Sequence, residues 1–461
     1  MFSSKTYQNR RKALTKKMDK GVLLFLGNNN SPMNYHGNPY HFRQDSNFLY
    51  YFGIDQPGLA ATIDLENGQT TIYGNESTLD DVVWTGPQPT IKSLAKKVGV
   101  TEVKTKAQLS RYLKRLTPIN KRVHYLPPYR GDNKIKLHEW LNIPMGAIER
   151  EWSKEFVTAV AAQRSIKASL ELKEMHRAVN LSAAMHLAAM RAAKAGQYES
   201  ELVAVAQAEA LKKESHPAYG IILTVNGQTL HNHDHDQQLK KGQLVLADMG
   251  AESDLHYAGD ITRTFPVSGK FTKKQKAIYQ IVLDAEIAAI DALRPGVTYQ
   301  SIHLLASTVI AKGLKKIGLM KGDPEAAVAA GAHALFFPHG LGHLIGLDVH
   351  DMEDLGEDLV GYSKKVKRSK QFGLAYLRLG KKLEEGYTIT VEPGIYFIPE
   401  LISQWKKEKR FTKFIDYKKL QEYLDFGGIR IEDNVLITKN GHQLLGDPIP
   451  KTIKEIESLM K

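Results

Sequence analysis

The chain has no cysteine among its 461 residues. Disulfides, thiolate metal sites and cysteine nucleophiles are thereby excluded, and the composition suits a reducing compartment. Long apolar runs are missing too. None approaches the roughly 20 residues needed to cross a bilayer, so no membrane partner is expected. The opening MFSSKTYQNRRKALTKKMDK lacks the apolar centre of a secretory signal, and the GVLLFLG that follows is too short to supply one. The cytoplasm is the expected location. Basic runs occur at Lys364 to Lys370 and Lys406 to Arg410, but no zinc-finger spacing, RNA-recognition motif or aromatic-interleaved platform accompanies them. The formal charge of +13 is read as a solvated basic face, with no specific nucleic-acid partner expected.

What is present describes an ordinary globular protein, 42% hydrophobic and 25% charged, whose length favours two domains. The first third alternates short strands and helices. GVLLFLG reads as a strand, and LAATIDLENGQTTIYG (Leu59 to Gly74) as a hairpin broken at Glu66-Asn67-Gly68. A helical pattern runs from near Glu155 to Gly196 in two pieces, which puts the boundary near residue 160. Beyond it, helices to about Lys213 precede strands at GIILTV, QLVLADMG and DITRTFPV. Helices near Lys274 to Leu293 and Ser301 to Ile317 precede strands at LIGLDVH, YTITVEPGIYF and GIRIEDNVLIT. Helices followed by strands, twice over, suggest a duplicated α+β domain with an antiparallel sheet.

Four acids stand at strand positions among apolar neighbours: Asp248 in QLVLADMG, Asp260 before ITRTFPV, Glu392 in YTITVEPG and Glu432 in GIRIEDN. An antiparallel return would set the two aspartates side by side. A buried, unpaired carboxylate must take up a proton or find a cation, and four of them carry the charge that two divalent ions balance. Between them in sequence lies HGLGHLIGLDVHD (His339 to Asp351), with three histidines and three glycines. It lacks the glutamate of HExxH, and Pro338, Gly340 and Gly342 disfavour the helix that motif needs. The glycines are read instead as letting backbone and imidazoles approach a crowded site. Oxygen-rich donors with one imidazole favour manganese, with cobalt or zinc as substitutes.

Taken together, LADMG, AGDITRTFPV, HGLGHLIGLDVHD, TVEPGIYF and GGIRIEDNV resemble the metal-binding segments of the pita-bread metallopeptidases, above all prolidase and aminopeptidase P. The resemblance extends to FRQDSNFLYYFGIDQPG (Phe42 to Gly58) and the Trp84 region, which look like the noncatalytic domain of those enzymes. Methionine aminopeptidases share the ligands but are shorter, and creatinases lack the full metal set. The resemblance implies an α/β N-terminal domain over 1–160 and an α+β pita-bread catalytic domain over 161–461, with duplicated helices and a curved antiparallel sheet. It implies two metal ions on Asp248, Asp260, His343, Glu392 and Glu432, and a homodimer. His339, His350 and His231 match positions near the substrate and the developing oxyanion, whereas His233 and His235 match none and are read as a solvated loop.

The implied reaction is hydrolysis of the bond between an N-terminal residue and proline, with Glu392 as general base and Arg430 positioning Glu432. Arg378 falls where prolidases place an arginine that grips the substrate carboxylate, a task that suits a guanidinium fork. This favours a dipeptidase. An aminopeptidase P acting on longer peptides stays the alternative, followed by a catalytically inactive pita-bread binding module and by action on a non-peptide amide or organophosphate.

Overall fold

The apolar run VLLFL becomes strand β1 (Val22–Leu26), buried along nearly its whole length. The structure is a computed structural model that describes residues 1–461, the side chain of Thr117 excepted. Its contacts divide the chain into two units, Met1–Arg164 with Glu353–Val360, and Ser165–Met352 with Gly361–Lys461.

In the first unit β1 is joined by β2 (Ala60–Asp64), β3 (Thr70–Tyr73), β4 (Glu102–Lys104) and β5 (Val123–His124), in the order β4-β3-β2-β1-β5. The expected hairpin is the antiparallel β2–β3 pair. Its turn closes on Gly68, whose φ of 72° lies in the left-handed region that glycine adopts at least cost. The β1–β5 and β3–β4 ladders are parallel, so this mixed sheet needs crossover connections, which the helices provide.

The second unit opens with helix Ser169–Ala192, which packs on helix Glu199–Leu211. Met175, Val179, Met185 and Ala189 recur at helical spacing along one buried face. Burying one such methionine contributes roughly 1.5–3 kcal/mol. Strands β6 (Ile222–Thr224), β7 (Leu244–Met249) and β8 (Ile261–Pro266) follow as an antiparallel sheet beneath that first helix. The pattern then repeats. Helices Lys273–Asp291 and Tyr299–Lys316 pack together, each started by a threonine, Thr272 or Thr298, that caps a backbone N–H. They are followed by β9 (Thr388–Val391), β10 (Gly394–Tyr396), β11 (Gly428–Arg430), β12 (Asp433–Thr438) and β13 (Gly441–Leu444). All ladders in this unit are antiparallel.

Three local expectations change. LIGLDVH is not a strand: Leu344 makes one bridge to Ile389, after which the chain curls so that the Asp351 N–H donates to Leu344 O at 2.8 Å. YTITVEPGIYF divides at Glu392-Pro393, with β9 pairing β12 and β10 pairing β11. Proline has no N–H to offer the ladder, so the strand ends there. GIRIEDNVLIT divides at Ile431-Glu432 in the same way. Both glutamates therefore sit where the chain passes from one sheet to another. Among the described residues no helix is long and apolar enough to cross a membrane.

Candidate metal centre and substrate pocket

The four acids and His343 line one cavity of about 650 Å³ in the second unit. Asp248 projects from β7 and Asp260 directly precedes β8. Their register is offset from the expected one: Asp248 faces Thr262 across the ladder, not Asp260. A residue that strand reasoning missed brings them together. The Tyr219 hydroxyl lies 2.6 Å from Asp248 Oδ1 and 2.5 Å from Asp260 Oδ1. Burial and the two adjacent aspartates push the Tyr219 phenol well above its ordinary value.

His343 arrives from the glycine-rich loop. Its Nδ1 is 3.0 Å from Leu344 O, and a carbonyl only accepts, so the proton sits on Nδ1 and the Nε2 lone pair points away. That lone pair faces carboxylates, with Asp260 Oδ2 at 3.4 Å and Glu392 Oε1 at 3.6 Å. Gly342 permits the approach, because a Cβ there would stand 2.2 Å from Thr390 O.

Glu432 is 1% exposed. One of its oxygens accepts from Thr262 Oγ1 at 2.7 Å, while Oε1 is buried without a hydrogen-bond partner. Burial, then repulsion from Asp260, Glu392 and Asp248, pushes its carboxyl well above the usual range. Burial chiefly, with Asp260 and Asp248 adding to it, pushes Glu392 up to about 8 against the opposing pull of Arg430.

An imidazole lone pair aimed at carboxylates, an orphaned buried oxygen and carboxyls that raise one another all fit cation binding. Asp260, His343 and Glu432 offer ligand atoms within 4.8 Å of one another, suited to a metal ion. Asp248 and Glu392 line the same cavity.

Arg430 does not pair with Glu432 as the sequence suggested. Its Nη2 donates to Asp248 Oδ2 at 2.5 Å, its Nη1 to the Tyr396 hydroxyl at 2.8 Å and its Nε to Thr262 Oγ1 at 3.2 Å. Glu432 lies two residues along the chain but takes the Thr262 hydroxyl instead. Tyr396 was also missed, although it stands four residues after Glu392 in PGIYF; the intervening proline breaks the alternation that would have flagged it.

His339 is fixed at both nitrogens, Nδ1 2.8 Å from Gly340 O and Nε2 2.8 Å from the Tyr396 hydroxyl. Since Nδ1 must donate to the carbonyl, Nε2 accepts from Tyr396. Burial pushes this imidazole down to about 3, so it is neutral at working pH. His350 lies beside His343 with ring centroids 4.3 Å apart, and His231 and Arg378 line the same cavity. Burial, then Arg430, lowers His231. His233, read from sequence as a solvated residue, also lines the cavity, whereas His235 Nδ1 contacts Leu223 O at 3.2 Å.

A buried, carboxylate-rich, cation-ready cavity at the heart of a duplicated helix-and-sheet unit defines the class as a metal-dependent hydrolase. Residues 173–439 match the model of metallopeptidase family M24, and residues 7–124 match the aminopeptidase P N-terminal domain. The chain belongs to metallopeptidase family M24. It is 34% identical over 423 residues to a probable Xaa-Pro aminopeptidase of Leptosphaeria maculans, covering 91% of this chain and 72% of that one. It is 31% identical over 438 residues to the Xaa-Pro dipeptidase of Homo sapiens, covering 91% and 84%. Its fold superposes on zinc-substituted aminopeptidase P of E. coli in complex with product with a TM-score of 0.82 at 27% identity, covering 100% of this chain and 98% of that one. It does so equally, at 30% identity and the same coverage, on an aminopeptidase of Pseudomonas aeruginosa. The α+β pita-bread architecture with an α/β N-terminal domain is thus the one the sequence led us to expect.

Proposed function

We propose that this protein hydrolyses the peptide bond between an N-terminal residue and proline, with Asp248, Asp260, His343, Glu392 and Glu432 holding two divalent ions. The observation that carries the reading is the convergence of those five side chains in one cavity that also contains His231, His350 and Arg378. The oxygen-rich donor set supports manganese, with cobalt or zinc able to substitute. The bound ions would supply a lowered pKa for the attacking water and polarise the scissile carbonyl.

The chain's own groups do the rest. Glu392 takes a proton from the water as its oxygen bonds to the carbonyl carbon, then passes that proton to the proline nitrogen as the C–N bond breaks. That nitrogen belongs to a tertiary amide and carries no hydrogen, so it must receive one to leave. His350 and His231, which line the same cavity, would donate to the carbonyl oxygen as charge develops on it. His339, with both nitrogens occupied, orients Tyr396 instead. Arg430 holds Asp248 in place through its short ion pair.

Arg378 in the cavity wall supports recognition of a free substrate carboxylate, and so a dipeptidase. A second reading, an aminopeptidase acting on longer peptides, is supported by the likeness to the probable Leptosphaeria Xaa-Pro aminopeptidase and to the two solved aminopeptidases. Hydrolysis of Gly-Pro and Gly-Pro-Yaa by manganese-loaded protein decides between them. Arg378→Ala is expected to raise KM for Gly-Pro by about tenfold or more while leaving the tripeptide nearly unaffected. Equal effects on the two would remove the carboxylate clamp, and no cleavage of either with manganese, cobalt or zinc would remove the reading.

A further inference from the structure

Behind the cavity wall, Lys167 and Asp351 form an ion pair, Nζ to Oδ2 2.9 Å, with side chains only 2% and 1% exposed. Removing two ions from water costs several kcal/mol per ion, and an apolar pair of similar volume often stabilises a fold as well or better. Stability alone is therefore a poor account of the pair. What it does hold is the shape of a loop. Asp351 directly follows His350, and its backbone N–H donates to Leu344 O at 2.8 Å. The same side chain accepts, at 3.4 Å, from the N–H of Asp348. Gly346, inside the curl, has no room for a side chain: a Cβ would lie 2.5 Å from Asp351 Oδ2 and 2.9 Å from Lys167 Cε. Lys167 is itself tied down, its N–H donating to Gly386 O at 2.8 Å. Residues 344–351 thus wrap around the Asp351 carboxylate, which the Lys167 ammonium group grips. The ends of the wrap carry His343 and His350, the imidazoles whose centroids are 4.3 Å apart.

We propose that Lys167 and Asp351 are positioning residues, a buried strut that sets the placement of His343 against the carboxylates and of His350 against the substrate carbonyl. A leucine could fill the volume of Asp351, but it cannot accept from the Lys167 ammonium group or from the Asp348 N–H inside the loop. The inference rests on the proposed function for the role of His350, and on the carboxylate and imidazole cluster for that of His343.

The test uses the full chain. Lys167→Met and Asp351→Leu alone each break the buried pair from one side and are expected to lower Tm; the double variant removes both charges of the pair. It is expected to melt above either single variant yet lose about tenfold to a hundredfold in kcat, with KM little changed and manganese affinity by calorimetry weakened about tenfold or more. A double variant that folds and keeps both kcat and manganese affinity within about threefold of wild type overturns the proposal. If it does not fold, the isosteric Asp351→Asn decides by the same two readouts, and failure of both to fold makes the pair structural, which also overturns it. Should the wild type cleave neither Gly-Pro nor Gly-Pro-Yaa, the functional reading fails separately, and the manganese affinities still decide the role of the strut.

Discussion

At the residue scale the centre depends on atoms with no substitute. Asp260 is 5% exposed, faces His343 and accepts from Tyr219. Asp260→Asn is expected to abolish metal-dependent hydrolysis, by ~10³-fold or more, and to lower metal content measured by mass spectrometry while circular dichroism stays native. Tyr396 is a subtler case, because its hydroxyl is shared between His339 Nε2 and Arg430 Nη1. Tyr396→Phe removes both bonds at once, and kcat/KM is expected to fall about tenfold to a hundredfold. Both acids and bases of the cavity were legible in the sequence, because a carboxylate among buried strand residues is anomalous whatever its neighbours. Tyr219 and Thr262 were not. A tyrosine in HPAYG or a threonine in a strand violates no pattern, and only the folded distances show what their hydroxyls touch.

The elements show how such side chains come to converge. Glu392 falls in the break between β9 and β10, and Glu432 in the break between β11 and β12, where a single bridge to Thr262 holds its backbone; both carboxylates turn into the cavity. The sequence showed the strands on either side but not the breaks' consequence, since pairing partners are a tertiary choice. The same limit explains LIGLDVH: apolar alternation suggested a strand, but Gly346 and the Lys167–Asp351 pair draw the segment into a curl. At this scale Gly342 is the vulnerable point. A Cβ there would meet Thr390 O at 2.2 Å and the Tyr299 hydroxyl at 2.5 Å, and neither atom can withdraw without moving β9 or a buried helix. Gly342→Ala is expected to cost about 1–3 kcal/mol, seen as a lowered Tm, and to displace His343 enough to weaken metal binding.

For the whole molecule, pH enters through two buried histidines. His303 and His333 are fully buried, and burial pushes their imidazoles down to about 3 and about 4 from an ordinary 6.5. The unfolded chain therefore binds protons that the folded chain refuses. Their stabilisation is complete above about 6.5 and is lost as the pH falls toward 4, by roughly 1.4 kcal/mol per pH unit for each ring. In urea titrations without added metal, a His303→Phe/His333→Phe variant is expected to show a flatter decline between pH 6.5 and 4.5 than the wild type; parallel curves would show that these rings do not govern acid lability. The two-unit organisation and the repeated helix-and-sheet order were readable from periodicity, because long amphipathic helices announce themselves. Which strands share a sheet was not, for that depends on partners more than a hundred residues away, as in the bridge from Thr262 to Glu432. That bridge has a consequence for biosynthesis. If these carboxylates hold the ions as proposed, a nascent chain on the ribosome can present Asp248 and Asp260, already joined through Tyr219, long before either glutamate has been translated. Cofactor capture must then trail translation, and a prematurely terminated product would be an empty vessel rather than a slow catalyst.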